Sequence, residues 1–486
     1  MADTSYTARK SVADIVGSAD AEGGRALSKT LGAPSITAMG IGAIIGAGIF
    51  VLTGTAAAQY AGPGIILSFV LGGIACAFVG LCYSELAAML PVCGSTYTYT
   101  YATLGEVFAW IIGWDLILEY AMGAATVAVG WSGYIVSLLH NVGINIPPTL
   151  AAAPGTTVQL ADGTTATGSV NLPAVLIIAI LTTMLVLGTQ ESARINNVMV
   201  AVKLTVVAAF IAIGAFFVHP ANWHPFVPPN TGAFGSFGAS GVLRGSAVVF
   251  FAFIGFDAVS TAAQEAKRPQ RDMPIGILGS LVICTLLYIL VAAVLTGLVP
   301  YAQLNVPDPI AKGVDAIGFT WFSVLVKIGA LTGLTTVILV LLYGQSRIFF
   351  TMSEDRLLPH LFSTVHPRLH TPHRSQIMIG TIVAIVAALT PIGVLGEMVS
   401  IGTLFAFVLV CGAVMYLRRS DSNATRPFRA PGVPVVPILG IAFCVLLMVG
   451  LPLVTWVRLI VWLLIGMLIY MFYGRHHSRL RHPERE

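Results

Sequence analysis

Lys203 is the residue of this chain whose position most clearly demands a chemical explanation. It lies near the middle of an apolar stretch, too far from either end for its amine to reach water easily. An ionisable group at the centre of a bilayer costs at least about 2.5–3.5 kcal/mol. Burial also disfavours the charged form of an amine, so Lys203 is predicted to bind and release a proton. A structural lysine paired with backbone carbonyls is the alternative.

Acidic residues also occur inside apolar stretches. Asp115 and Glu119 are four residues apart, so a helix presents them on one face. Either could line a polar cavity, and Glu119 is the better candidate to meet a cationic group; a satisfied hydrogen bond between helices is the alternative. Asp257 and Glu85 are expected to be structural, Asp257 as a helix cap or anchor and Glu85 in a structural or gating role.

Two apolar stretches contain glycines that should interrupt a helix. The segment 40–50 (GIGAIIGAGIF) holds four glycines, and each weakens a helix by about 1 kcal/mol relative to alanine. Close packing of small residues is the alternative for such a pattern. The segment 250–257 (FFAFIGFD) has one glycine and one acid in an apolar context. Both segments are predicted to be helix breaks.

A broken helix exposes backbone groups that can bind a zwitterion. The first N–H groups of the second half-helix attract a carboxylate. The last C=O groups of the first half-helix attract an ammonium group. An amino acid carries both charges, so the chemistry of the two predicted breaks suits that class of ligand.

The elements that must carry these residues are membrane-spanning helices. The chain has 486 residues, 56% hydrophobic and 9% charged, against about 25% charged in soluble domains. Runs of ~20 apolar residues can each span a bilayer, and about twelve occur. They centre on 36–56, 64–90, 107–139, 171–188, 196–218, 242–263, 274–299, 320–350, 376–390, 396–417, 434–450 and 454–474.

The distribution of positive charge predicts the orientation of these helices. With the N-terminus inside, most of the 25 Lys and Arg residues fall in segments on the inner side, as the positive-inside rule requires. Both termini are therefore predicted to be cytoplasmic, in a multi-pass protein of the cytoplasmic (inner) membrane. The outer segments 140–170 and 219–241 are rich in Pro, Gly and Thr and are expected to form ordered caps or short hairpins.

The runs divide into two halves of five helices. We predict a cytoplasmic segment 1–33, a first repeat 34–218 and a second repeat 242–417. Two further helices over 434–474 and a cytoplasmic tail 475–486 follow. Runs one and six occupy equivalent places in the two halves, and paired interruptions of this kind indicate the mid-membrane binding site of a transporter.

Other classes of function find little support. The six cysteines form no CxxC pair and no His spacing typical of a metal site. No Ser/His or Cys/His constellation lies in the apolar runs, and the loops are too short for a catalytic domain, so no enzyme is expected. The short basic tail is interpreted as a solvated positive-inside anchor, and no nucleic-acid partner is expected.

Four sequence blocks together resemble one known family. They are GIGAIIGAGIFVLTG (40–54), LCYSELAAMLPVCGSTYTYTYATLGE (81–106), FFAFIGFDAVSTAAQEAKRPQRDMPIGI (250–277) and YGQSRIFFTMSEDRLLP (343–359). The chain resembles the amino acid–polyamine–organocation superfamily, and in particular a bacterial member of its cationic amino acid transporter branch. The resemblance extends from about residue 31 to the end of run twelve.

The resemblance implies an all-α polytopic protein with a LeuT-like core of two inverted five-helix repeats. Helices 1 and 6 would be discontinuous. It implies a substrate carboxylate at the amides of Ala47 and Gly48, with the amino group near the carbonyls of Ile44 and Phe251. Phe251 would also act as an aromatic gate.

The resemblance also assigns the side-chain pocket and the coupling ion. Ala252 and Ile254 would line the pocket for the substrate side chain. Lys203 would replace the sodium ion of sodium-coupled relatives, facing the Gly42 backbone and a hydroxyl such as Thr335. A proton would then be the coupling ion, with no cofactor and no metal or sodium site.

The expected activity is proton-coupled symport of L-amino acids, either cationic (arginine, lysine, ornithine) or small and neutral like alanine. Gln264 and Glu265 stand where many members have two acids, so cationic preference follows from the resemblance alone. An exchanger or polyamine carrier with a structural Lys203, and an amino acid sensor or channel-like protein, are the alternatives. A small accessory membrane subunit stays open as a partner, besides the substrate and the lipid bilayer.

Overall fold

The computed structural model describes residues 31–89, 95–159, 165–188, 193–257, 259–260, 263, 266–369, 371–420 and 425–481. Residues 1–30 of the predicted segment 1–33, residues 482–486 of the predicted tail, and Gln264 and Glu265 therefore lie outside the described residues.

The described chain is built almost entirely of helices. The first half comprises α1 Ala33–Ile44, α2 (48–61, π-helical at both ends), α3 Ile65–Met89, α4 Ser95–Thr103, α5 Glu106–Asn141, α6 Leu172–Leu187 and α7 Ala193–Gly214. The second half comprises α8 Gly238–Val249, α9 Pro269–Leu298, α10 Pro309–Asp315, α11 Thr320–Glu354, α12 His373–Leu389 and α13 Ile392–Ser420. The helices α14 Val435–Val449 and α15 Leu453–Ile469 follow.

Seven helical stretches of the described chain are long and apolar enough to cross a membrane. They are Gly48–Met89, Glu106–Asn141, Val198–Phe217, Pro269–Leu298, Thr320–Glu354, Ile392–Ser420 and Leu453–His477. Five shorter apolar helices accompany them. All of these helices fall on the apolar runs predicted from sequence, so the prediction of a multi-pass helical membrane protein is confirmed.

One short β-hairpin accompanies the helices, in a segment that connects two of them. Strands β1 Thr157–Gln159 and β2 Thr165–Thr167 pair antiparallel, with Thr157 opposite Thr167. The hairpin lies in the segment 140–170, where short hairpins or ordered caps were expected. Threonine and valine are β-branched and favour extended pairing, which explains why this polar segment does not continue a helix.

Helices from the two halves pack against one another in matched pairs. α3 runs along α9, α5 along α11, and α6 along α12. Small residues allow the closest approaches: a Cβ on Gly80 would lie 2.6 Å from Leu281. Such contacts are typical of helices packed in a bilayer, where small residues let the backbones come together.

A buried ion-pair cluster fastens the end of α3 to the chain segment after α13. The Glu85 carboxylate accepts hydrogen bonds from Arg418 Nε at 2.8 Å and Nη2 at 2.7 Å, and from the Ala430 N–H at 2.8 Å. Arg426 Nε lies 3.4 Å from the same carboxylate. The structural role predicted for Glu85 agrees with this network.

We expect Glu85→Gln to destabilise the protein markedly. The substitution keeps the shape of the side chain but removes the negative charge that Arg418 and Arg426 contact, and the Arg426 side chain is 2% exposed. Breaking a buried ion pair costs about 3–5 kcal/mol, so the apparent Tm of the purified protein should fall by several degrees. Glu354→Gln, at an exposed glutamate, is the matched control. Equal Tm values for the two variants would contradict this role.

Part of the C-terminal tail is docked, which corrects the expectation that it is solvated. Glu106, fully buried at the start of α5, forms an ion pair with Arg481 Nε at 2.9 Å. The same carboxylate accepts hydrogen bonds from the hydroxyls of Tyr470, at 2.7 Å, and of Ser478. Arg481, which was predicted to be solvated, thus pairs with the buried carboxylate of Glu106.

Candidate functional site

The first predicted helix break lies between α1 and α2. α1 ends at Ile44, and Ile45 has an extended backbone with φ −74° and ψ 101°. Helical structure resumes around Ala47 and Gly48. The first N–H groups of a helix have no partner within it, so the amides of Ala47 and Gly48 lie where an anion can be bound.

The second break follows α8. A 3₁₀ turn over Phe250–Phe253 leads to Ile254, which is extended (ψ 139°), and to Gly255 at φ +111°. Only glycine adopts that conformation readily, and a Cβ at this position would lie 2.8 Å from the carbonyl oxygen of Ala43. Gly255 therefore allows both the sharp change of direction and the close approach to α1.

The two breaks touch each other through their backbones. A Cβ on Gly48 would overlap the Cα of Ala252 and lie 2.7 Å from its nitrogen. Phe251 and Ile254 are buried within the same second break, at 6% and 8% exposure. The fold thus brings together the residues of α1, α2 and the second break that were predicted to bind substrate, namely Ile44, Ala47, Gly48, Phe251, Ala252 and Ile254. Their role in binding stays a prediction.

Tyr288 of α9 was not identified from the sequence. Its hydroxyl lies 2.9 Å from the Ile44 carbonyl oxygen and 2.8 Å from that of Ala252, and can donate to either. The Phe251 carbonyl accepts the Ile254 N–H at 3.2 Å. The available signal was a lone tyrosine in the apolar run of α9, since a buried tyrosine hydroxyl requires a polar partner.

Lys203 on α7 is fully buried and reaches the end of α1. Its Nζ donates to the carbonyl of Gly42 and, at 3.1 Å, to that of Ile45. The last C=O groups of a helix have no partner within it and form the negative end of its dipole. On the opposite side, a Cβ on Gly333 of α11 would lie 3.3 Å from Lys203 Cδ. The amine therefore reaches the first break, while the aliphatic part of the Lys203 side chain packs against α11.

Thr335, named with Lys203 in the sequence analysis, has other partners in the structure. Its hydroxyl donates to the Leu331 carbonyl at 2.7 Å and accepts from Trp131 Nε1 at 3.0 Å. Among the hydrogen bonds of the described residues, Lys203 donates to the carbonyls of Gly42 and Ile45 and not to Thr335. Thr335 instead links α11 to α5.

The two carboxyl groups of α5 are buried side by side along one face. Asp115 and Glu119 are 0% and 1% exposed. Both Asp115 oxygens and Glu119 Oε1 have no hydrogen-bond partner among the described residues. Asp115 Oδ1 lies 3.0 Å from where a Cβ on Gly402 of α13 would stand. Unpaired buried polar atoms are costly and rare in native proteins, so these groups are candidates for meeting a proton or a polar ligand.

Metal chemistry gains no support from the side chains. In the part of the chain that the structure describes, no group of three or more His, Cys, Asp or Glu residues is arranged to hold a metal ion. The expectation that no cofactor is needed stays a prediction.

These features define a class: a helical membrane protein with two backbone breaks in contact and ionisable groups buried around them. The sequence profile of the amino acid permease family matches residues 31–473. The chain therefore belongs to the amino acid permease family, within the amino acid–polyamine–organocation superfamily. It is a transporter and not an enzyme.

Characterised relatives are similar over almost the whole chain. The branched-chain amino acid permease BcaP of Bacillus subtilis is 49% identical over 97% of this chain and 98% of its own length. The methylthioribose transporter of the same organism is 45% identical, covering 94% and 95% of the two chains. The vacuolar cationic amino acid transporter 4 of Arabidopsis thaliana is 32% identical, covering 94% of each.

Proposed function

We propose that this chain is a proton-coupled symporter of L-amino acids that works by alternating access. The observation that carries the proposal is the contact between the two helix breaks at Gly48 and Ala252. Free N–H groups at the start of α2 can bind a carboxylate, and carbonyl groups at the end of α1 can bind an ammonium group. Ile44, whose carbonyl already meets the Tyr288 hydroxyl, is the main acceptor in this scheme.

The architecture that goes with this function is a LeuT-like core of two inverted repeats. The matched packing of α3 with α9, α5 with α11, and α6 with α12 supports it, because equivalent helices of the two halves then face each other. We propose repeats over 34–218 and 242–417, twelve spanning helices in all, and cytoplasmic termini. α14 and α15 are the two additional helices.

Lys203 is the proposed carrier of the coupling proton. A protonated amine offers three donors, and two of them hold the Gly42 and Ile45 carbonyls. Loss of the proton removes the charge that favours the end of the α1 dipole, so deprotonation weakens the hold on α1 beside the substrate site. Because the amine already occupies the carbonyls at the end of α1, we propose that no sodium ion binds there.

The names of the relatives suggest which amino acids to test. Two relatives are branched-chain amino acid permeases and several are cationic amino acid transporters. The apolar lining by Phe251, Ala252 and Ile254 favours small or aliphatic side chains, whereas Glu119 offers a counter-charge to a cationic one. We therefore propose neutral aliphatic amino acids as substrates, with arginine, lysine and ornithine as the cationic alternative.

Uptake into liposomes tests this function. Purified protein is reconstituted, and labelled leucine, alanine and arginine are presented with and without an inward proton gradient. Saturable, gradient-driven accumulation of at least one of them is expected, and unlabelled methylthioribose should not compete. Uptake that ignores the gradient would instead indicate an exchanger in which Lys203 is structural. No uptake of any amino acid would contradict the proposal.

Where the uptake panel shows that arginine is recognised, we expect Glu119→Gln to weaken that recognition while leaving that of alanine unchanged. Removing the charge removes the counter-ion of a guanidinium group, and charged hydrogen bonds contribute about 1.5–3 kcal/mol. Competition by arginine against labelled alanine uptake should therefore weaken by about tenfold or more. Asp115→Asn, one turn away, is the comparison. Loss of arginine competition in Asp115→Asn but not in Glu119→Gln would assign this role to the other carboxylate.

A further inference from the structure

A groove of about 700 Å³ runs along the membrane-facing side of α9. Its other wall is the segment that leads into α14. The residues that carry the argument are Arg271, Ile275, Leu278, Val282, Pro427 and Phe428. Ile275 and Val282 are 45% and 59% exposed, so the groove is open to the surrounding medium.

Basic side chains surround one end of this groove. Arg271 lines the groove and is exposed, and Arg429, next to the lining residue Phe428, is exposed as well. Lys267 and Arg268 precede the helix and are also exposed. The neighbouring acid, Asp272, is 8% exposed and caps the helix by accepting the Arg268 N–H at 3.1 Å. The mouth of the groove is thus strongly positive.

From its basic mouth to its apolar end, the groove is about as long as one bilayer leaflet is thick. Residues 271, 275, 278 and 282 follow one another on a single face of α9. At a rise of 1.5 Å per residue, Arg271 and Val282 are about 16 Å apart along the helix. Half of the hydrocarbon core of a bilayer is about 15 Å thick. The charge at the mouth therefore continues into an apolar track, from Ile275 to Val282, that is about 10 Å long.

A second apolar groove on the membrane-facing side of α14 provides an internal comparison. Its lining includes Ile438, Val445 and Val449, and it contains no basic residue. Apolar faces of this kind suit any lipid chain. Of these two grooves, the α9 groove combines such a face with a cluster of cations, and basic pockets at the membrane surface select anionic head groups.

We propose that the α9 groove binds one anionic phospholipid of the leaflet on the side that we assign to the cytoplasm. The phosphate of the head group lies between Arg271 and Arg429, and one acyl chain follows Ile275, Leu278 and Val282. The same helix carries Tyr288, so an occupied groove braces the element that contacts both helix breaks. This inference requires a membrane protein but does not depend on proton coupling.

Native mass spectrometry of the detergent-purified full chain tests the proposal. Phosphatidylglycerol and phosphatidylcholine of the same acyl composition are titrated, and bound lipids are counted. One phosphatidylglycerol should bind more tightly than any phosphatidylcholine. Each basic side chain near an anionic lipid contributes on the order of fivefold in affinity, so Arg271→Gln combined with Arg429→Gln should weaken that binding about twenty-five-fold.

Two further variants separate a specific groove from general attraction to positive charge. Arg368→Gln combined with Arg374→Gln removes the same charge at exposed positions, one before α12 and one in its first turn, and should leave the tight phosphatidylglycerol in place. Val282→Trp fills the groove without changing the charge and should weaken binding severalfold. Equal binding of the two lipids, equal loss in both arginine pairs, or unchanged binding in Val282→Trp would each overturn the proposal.

Discussion

Replacing Lys203 by alanine is expected to abolish gradient-driven accumulation while leaving part of the exchange activity. The amine joins the Gly42 and Ile45 carbonyls at the end of α1, next to the proposed substrate site. Without a group that takes up the proton, the proton gradient no longer favours one direction. Couplings between sites are typically 5- to 150-fold, so accumulation in liposomes should fall by at least about tenfold.

Lys327→Ala is the matched control for that experiment. Lys327 is also buried, at 2% exposure, but its amine faces Asn141 at the end of α5, away from the helix breaks. Accumulation should persist in this variant. Normal accumulation by Lys203→Ala, or equal loss in both variants, would mean that Lys203 has a structural role.

The second large effect is expected at Gly48. Even the single methyl group of Gly48→Ala would overlap the Cα of Ala252, and backbone atoms cannot yield as a flexible side chain can. The two breaks must then separate, which displaces the amides and carbonyls proposed to bind substrate. A displacement of about 1 Å at a site can cost about a hundredfold in rate, so uptake should be nearly lost.

Gly412→Ala distinguishes this effect from a general intolerance of added methyl groups. Gly412 lies within α13, and a Cβ there would meet no atom within 4 Å. This variant should transport normally and gain slightly in stability, because alanine favours helix. The Tm and monodispersity of both proteins are measured alongside uptake. A Gly48→Ala protein that transports at more than half the wild-type rate would contradict the proposed contact.

The sequence was sufficient to predict the features that follow from local chemistry. The long apolar runs of α5 and α11 predicted those helices to within a few residues. Clustered glycines predicted the break after Ile44, and Gly255 predicted the break after α8, because backbone propensity alone disfavours helix there. The burial of Lys203 also agrees with its position in an apolar run, whereas its place beside the Gly42 carbonyl was implied only by the resemblance.

Features that depend on distant partners could not be read from the sequence. Tyr288 is one hydroxyl in an apolar run, and only the packing of α9 against both breaks gives it two acceptors. Arg481 belongs to a tail whose composition is typical of a solvated segment, yet it forms a buried ion pair with Glu106, which is far away in sequence. Thr335 meets Trp131 because α11 packs along α5. In each case tertiary contact, not local pattern, decides the partner.

Amino acid-driven proton entry is the measurement that tests the central claim most directly. Liposomes containing the purified protein and a trapped pH-sensitive dye receive the best substrate from the uptake panel, with no initial pH gradient. The account predicts that the lumen acidifies on addition of the amino acid, and that it does not in liposomes carrying Lys203→Ala. Saturable amino acid uptake with no change in luminal pH would contradict proton coupling.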